Sequence, residues 1–349
     1  MKLLKIIFLL ATIAIFASCE KIFMDPKPQT DALSIFDEYA TLVKEKYAML
    51  DFKGVDIDIL ADSIRSTISG DISDNDLFNK LAIITTRLRD GHSSLSQDNT
   101  DITGTALHAG FDLLAGYPPG VDFFALFGQY VNPDTNPSIK FLGDTINFTA
   151  IYGTLLQNTE IGYAWIPSWN VEISDEEIEQ IFEELKDTKG LIIDMRGNGG
   201  GDPALATKFA AYFTGEAVDT GFERFKTGPG ENDFSDSRVI LQPAASNNKY
   251  LKEVRVLTDR NVYSASTTFL YSVDPVETIK TMGQRSGGGS GSVADGYLAN
   301  GWHWSLSTSE FIDAKGRHLD DGVEPDIAVA LDTTTMIDEI IEAAILDLQ

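Results

Sequence analysis

The sequence predicts an α/β protein: a largely parallel sheet covered by helices, with a small helical bundle ahead of it. Three observations carry this. From about residue 160 strand-like and helix-like segments alternate, the pattern of βαβ units. The strand-like segments, such as Leu191-Ile192-Ile193, are continuously apolar, as strands buried on both faces are. Residues 31–90 instead carry three helical stripes at the spacing of amphipathic helices.

In order, Phe36, Tyr39, Val43, Tyr47 and Leu50 form one apolar stripe on a helix starting near Asp31. Ile57, Leu60, Ile64 and Ile68 suggest a second. Ser73 to Asp76 is a capping-box variant ahead of a third, with Leu77, Leu81, Ile84 and Leu88 turned inward. Residues 104–150 alternate Gly, Pro and aromatics, which suggests irregular strands and loops. Ile161 to Pro167 reads as a strand, and Ser174 to Glu177 as a capping box opening a helix that Gly190 ends. Leu191 to Met195 is a buried strand, 203–214 a helix, Val254 to Thr258 a strand, and a further helix begins near Ser264. A final helix over Thr335 to Leu348 carries Met336, Ile340, Ala343 and Leu346 on one stripe.

The chain has 349 residues, 43% of them hydrophobic, enough for two or three domains with real cores. Its 27 Lys and Arg face 53 Asp and Glu, a net charge of −26. Such a surface repels phosphate backbones, so no nucleic-acid partner is expected. The single cysteine excludes an intramolecular disulfide, and four histidines, none closely paired, leave little material for a metal site. No cofactor is expected.

Met1 to Ser18 has a basic start (Lys2, Lys5) and an apolar stretch from Ile6 to Phe16, the pattern of an export signal. Phe16-Ala17-Ser18-Cys19 resembles a bacterial lipobox, which implies a lipid on Cys19 and stable membrane attachment. The expected layout is a signal at 1–18, a tether at 19–30, a helical domain at 31–100 and an α/β core at 101–349. The expected location is a bacterial cell envelope, facing the periplasm or the cell surface, with the lipid as the only membrane contact.

Three segments carry chemistry. In Asp194-Met195-Arg196-Gly197-Asn198-Gly199-Gly200-Gly201-Asp202-Pro203 a buried strand meets glycines and then a capped helix start, leaving amides bare at the positive end of a helix dipole. That suits an anion or an oxyanion. It matches no phosphate-loop pattern. In Val262-Tyr263-Ser264-Ala265 a serine begins a helix shortly after a buried strand. Taken alone it reads as an N-cap; functionally, it is a nucleophile beside the free amide of Ala265. In Leu88-Arg89-Asp90-Gly91-His92-Ser93 a histidine stands on an Asp-Gly corner from which it could reach across a cleft. Alone it reads as a surface or structural histidine, as does His303 between Trp302 and Trp304.

Together and in order, LRDGHSSL, LIIDMRGNGGGDP and VYSASTTF resemble the serine peptidase family of C-terminal-processing and tricorn-core proteases. Gly322-Val323-Glu324-Pro325-Asp326-Ile327 is similar to its C-terminal motif, so the resemblance spans residues 31–330. It implies a crotonase-like (ClpP-like) α/β core with a helical N-terminal part. It also implies Ser264 as nucleophile on a polypeptide carbonyl, with the backbone amides of Gly200 and Ala265 as the oxyanion hole. Many relatives use a lysine base in the later glycine-rich segment, but here Gly289 stands in its place. The tricorn-type branch implies His92 as base instead, a suitable one by its ordinary pKa. The acid that orients it is expected at Asp320 or Asp321. About 65 residues separate the His92 motif from the strand at 161, too few for a PDZ domain, which is read as absent. The rival readings are a catalytically inactive module binding a peptide or an apolar ligand on the same fold and, from fold analogy alone, a coenzyme A enzyme.

Overall fold

The computed structural model describes residues 30–98, 106–112, 128–143, 148–332 and 334–349; the expected signal and Cys19 lie outside them. Asp31 caps helix α1 (Ala32–Lys46) by accepting from the Ser34 amide at 3.1 Å. Asp56 caps α2 (Ile57–Arg65), which ends before Ile68. Ser73 caps α3 (Asp74–Leu88), whose Leu77, Leu81, Ile84 and Leu88 are buried as the spacing requires. A turn leads to strand β1 (Ser94–Ser96) and then β2 (His108–Gly110). Within the stretch read as irregular lie β3 (Lys140–Gly143) and β4 (Phe148–Thr154).

β5 (Ile161–Trp165) precedes α4 (Asp175–Leu185), which opens on a true capping box between Ser174 and Glu177. Gly190 does not end this helix. The Thr188 hydroxyl takes the carbonyl of Leu185 at 2.7 Å, and Gly190 opens β6 (Gly190–Asp194). A Cβ there would lie 2.8 Å from Leu348, so the glycine admits the C-terminal helix. Then follow α5 (Pro203–Ala210), β7 (Val218–Phe225), β8 (Arg238–Gln242) and β9 (Glu253–Thr258). α6 (Ala265–Val273) and β10 (Ile279–Gly283) come next. β11 (Val293–Tyr297), β12 (His303–Ser307), β13 (Ser309–Asp313), β14 (Ile327–Ala328) and α7 (Glu339–Asp347) complete the chain.

The central sheet has the order β14-β10-β9-β6-β5-β4-β3. It is parallel from β14 to β5, and β4 and β3 add antiparallel. Successive β6 residues serve opposite faces, as pleating demands. Leu191 and Ile193 join Phe182, Phe209 and Phe269 of α4, α5 and α6. Ile192 joins Ile340, Ile341 and Ile345 of α7 on the other side. The stripe expected for α7 is rotated: Met336 and Leu346 are exposed, while Ile340, Ile341, Ala344 and Ile345 are buried. Asp338 sets this phase, because its carboxylate caps the helix at the Ile341 amide and is held by Arg196.

Two small sheets flank this body. β13-β7-β8 forms one, and β11-β12-β1-β2 forms the other. The second closes the helical bundle, since Leu298, Trp302, Trp304 and Leu306 share a core with Phe36, Tyr39 and Leu81. The N-terminal helices are therefore completed by chain from the C-terminal half.

Candidate active site

Ser264 sits where β9 turns into α6. Its backbone has φ 57 and ψ −119, and its side chain caps nothing. An L-residue in that region is strained, and such strain collects at functional sites. The turn is held by three hydrogen bonds to two flanking segments: the Ser264 amide donates to Gly288 O (2.9 Å), the Tyr263 amide to Asn198 O (3.2 Å), and the Thr267 hydroxyl to Gly288 O (2.6 Å). The hydroxyl is thus presented rather than spent on the helix.

His92 arrives from the turn after α3. Arg89 ends that helix in the left-handed region at φ 51. Asp90 then accepts from the His92 amide at 2.9 Å and from the Ser93 hydroxyl at 2.8 Å, an Asx turn that fixes the corner. Ser305 on β12 donates to His92 O at 2.8 Å. The result is a 3.0 Å contact between His92 Nε2 and Ser264 Oγ, across 172 residues of sequence. The imidazole packs on the Tyr263 ring, centroids 4.8 Å apart. Burial pushes its pKa below the usual 6.5, and the Asp90 charge opposes the shift. A neutral imidazole within reach of a hydroxyl can accept its proton.

The glycine turn packs against this pair. A Cβ on Gly200 would lie 2.7 Å from Ser264 Cβ and 3.0 Å from the Ala265 nitrogen, so only glycine lets the two turns meet. The Gly200 amide, however, is engaged: it donates to Asn198 Oδ1 at 2.9 Å, and Asn198 donates to Ile166 O at 3.0 Å. This corrects the expectation that Gly200 is a bare oxyanion donor. The reason is the asparagine inside the motif, whose side chain folds back on the turn. The amides of Ala265, Gly199 and Gly201 donate to no described protein atom.

Asp320 and Asp321 also fall elsewhere than expected. Neither hydrogen-bonds His92, whose Nδ1 is buried without a partner. Asp320 pairs with Lys53, Nζ to Oδ2 2.6 Å, both side chains fully enclosed, and Lys53 also binds the half-exposed Asp321. Burial and then the Asp90 charge raise the pKa of Asp320 to about 7, against the pull of Lys53. The buried Tyr47 hydroxyl, unpartnered, and that of Tyr263, 3.5 Å from Asp90 Oδ1, complete a polar cluster behind the histidine. Asp90, Tyr263 and Lys53 were not anticipated as parts of the site. The Asp-Gly-His turn could have flagged Asp90, whereas nothing in the pattern around Lys53 marks it.

Gly289, at φ 73, explains why no lysine stands there: a Cβ would lie 2.3 Å from the Tyr263 ring. His303 is structural, 3.2 Å from Asp295 and edge-on to Tyr297. The C-terminal motif is structural as well. Val323 and Ser286 exchange hydrogen bonds, and Asp326 accepts from the Thr281 amide and hydroxyl. Among the described residues no cluster of His, Cys, Asp or Glu could hold a metal, and no helix is long and apolar enough to cross a membrane.

Residues 160–329 match the family model described as Peptidase family S41. The structure of a candidate peptidase from Parabacteroides merdae is similar at a TM-score of 0.79 and 28% identity, covering 92% of this chain and 97% of that one. Mature CPAF has a TM-score of 0.64 at 13% identity, covering 91% and 95% of the two chains. The photosystem II D1 C-terminal processing protease has 0.52 at 14%, covering 87% and 95%. These last two likenesses speak to the fold. No curated protein matches the sequence. With the family match over residues 160–329, which hold the elbow and most of the central sheet, and the fold shared across nearly the whole chain, this protein is similar to peptidase family S41.

Proposed function

We propose that the protein is a serine endopeptidase acting on exported or unfolded polypeptides, with Ser264 as nucleophile and His92 as general base. The single observation behind this is the 3.0 Å contact between His92 Nε2 and Ser264 Oγ. As Oγ bonds to the carbonyl carbon, its proton passes to Nε2. The carbonyl oxygen becomes an oxyanion, for which the unpartnered Ala265 amide at the start of α6 is the natural donor. The imidazolium then gives its proton to the leaving amine as the C–N bond breaks. Water, deprotonated by the same imidazole, releases the acyl group and restores Ser264. Asp90 holds the histidine through its backbone, and its charge favours the imidazolium that forms in between. Cys19 is proposed as the lipidated residue that fixes the enzyme to the cell envelope; Cys19→Ser should abolish palmitate incorporation in a bacterial host.

Degradation of an unfolded substrate such as reduced casein tests the assignment. Wild type should degrade it, while Ser264→Ala and His92→Gln should each lower the rate by about a thousandfold or more. Undiminished proteolysis by folded Ser264→Ala would refute the role given to this serine.

A further inference from the structure

The cavity that opens at Ser264 has a volume of about 340 Å³. One wall is the face of β13-β7-β8, whose register sets Phe311, Glu223 and Arg238 side by side in one row across the three strands. All three line the cavity, as do Tyr271 from α6 and Ser290 and Ser292 from the loop after Gly289. Tyr271 stacks on Phe311, centroids 4.0 Å apart. Glu223 is held in place. The hydroxyls of Ser292 (2.7 Å) and Ser309 (2.6 Å) both donate to its Oε1, and the Ser292 amide donates to Ser309 Oγ at 2.7 Å. Its other oxygen accepts no hydrogen bond from the described protein. Arg238, directly opposite on β8, is exposed and makes no ion pair among the described residues.

We infer that Glu223 makes this pocket selective for a substrate with a cationic side chain, lysine or arginine, beside the bond that Ser264 attacks. A carboxylate fixed by two hydroxyls offers its second oxygen with little reorganisation, and hydrogen bonds between such a group and a guanidinium or ammonium are the strong kind. Phe311 and Tyr271 give apolar surface for the methylene stem, as long cationic side chains require. Arg238 stands at the opposite end of the row from Phe311 and opposes the selection through its charge.

This inference rests on the peptidase reading, and its test separates the two. Peptides identical except for Arg, Lys, Leu or Glu on the N-terminal side of the scissile bond are compared by kcat/KM. Wild type should prefer Arg and Lys over Leu by about tenfold or more. Glu223→Gln keeps an oxygen for both serine hydroxyls and should lower the Arg-to-Leu ratio by about tenfold. Arg238→Gln should move the same ratio upward, so the two variants are expected to act with opposite sign. Cleavage of the Leu peptide without a preference for cations, or a ratio unmoved in Glu223→Gln, overturns the role of Glu223 alone. No cleavage of any peptide, with Ser264 inert to fluorophosphonate, overturns the peptidase reading and this inference with it.

Discussion

At Ser264 the backbone occupies φ 57, ψ −119, a conformation that costs a non-glycine residue about 1–3 kcal/mol. The surrounding turns enforce it, and the hydroxyl is thereby turned away from capping and toward His92. The electrostatics of His92 give a pH prediction. Burial disfavours its charged form, so its pKa lies below 6.5. A base must be neutral, so kcat/KM should stay on its plateau below pH 6.5 and fall only as pH drops through the lowered value. The Asp90 charge opposes that shift; Asp90→Asn, which can still accept the His92 amide, should move the acid limb to still lower pH. A limb above 6.5, or one that moves upward in Asp90→Asn, would show that another group controls the rate.

Among the elements, the strand–glycine–helix unit from β6 to α5 owes its shape to charge as well as to glycine. Arg196, fully enclosed, donates to Asp194 at 2.6–3.1 Å and to Asp338 at 3.0 Å, and Tyr163 donates to Asp194 at 2.8 Å. This triad ties the end of β6 to the cap of α7. Removing one member of a buried ion group strands the others, so Arg196→Met should cost about 3–5 kcal/mol, read as a lower urea midpoint. A loss under about 1 kcal/mol would mean that the carboxylates find other partners.

How much of these elements was legible follows from what each depends on. Asp31, Ser73, Ser174 and Asp202 act as caps where local chemistry placed them, because capping needs only neighbouring residues. Ser264 and His92 stood out only through the ordered set of motifs, since each turn by itself reads as a cap or a structural histidine. The phase of α7 was not, since it is set by an arginine 142 residues away. The engaged state of Gly200 was not legible either, since it depends on how the Asn198 side chain, two residues before it, folds back on the turn. Lys53 came to Asp320 only through the fold.

For the molecule as a whole, the site exists because the N-terminal helices and the α/β body share structure. β1 pairs with β12 at Leu95 and Trp304, and Lys53, in the segment joining α1 and α2, reaches Asp320 beside the C-terminal motif. That enclosed pair gives a pH-dependent stability prediction. The folded pKa of Asp320 is raised above 3.8, so between these values the native state binds more protons than the unfolded one. This group's contribution to stability therefore declines as pH rises through that window. In Lys53→Met the carboxylate loses its counterion, so the penalty should be small at pH 5 and grow to about 3–5 kcal/mol at pH 8. Urea unfolding at the two pH values checks it; an equal loss at both would mean packing, not charge, is what Lys53 supplies.

The most direct trial of the paired hydroxyl and imidazole is covalent. Incubated with a fluorophosphonate probe, the intact protein should gain one adduct, and peptide mapping should locate it on Ser264, with labelling slowed severely in His92→Gln. An unmodified protein, or an adduct on any other residue, would contradict the account and favour a fold that binds without cutting.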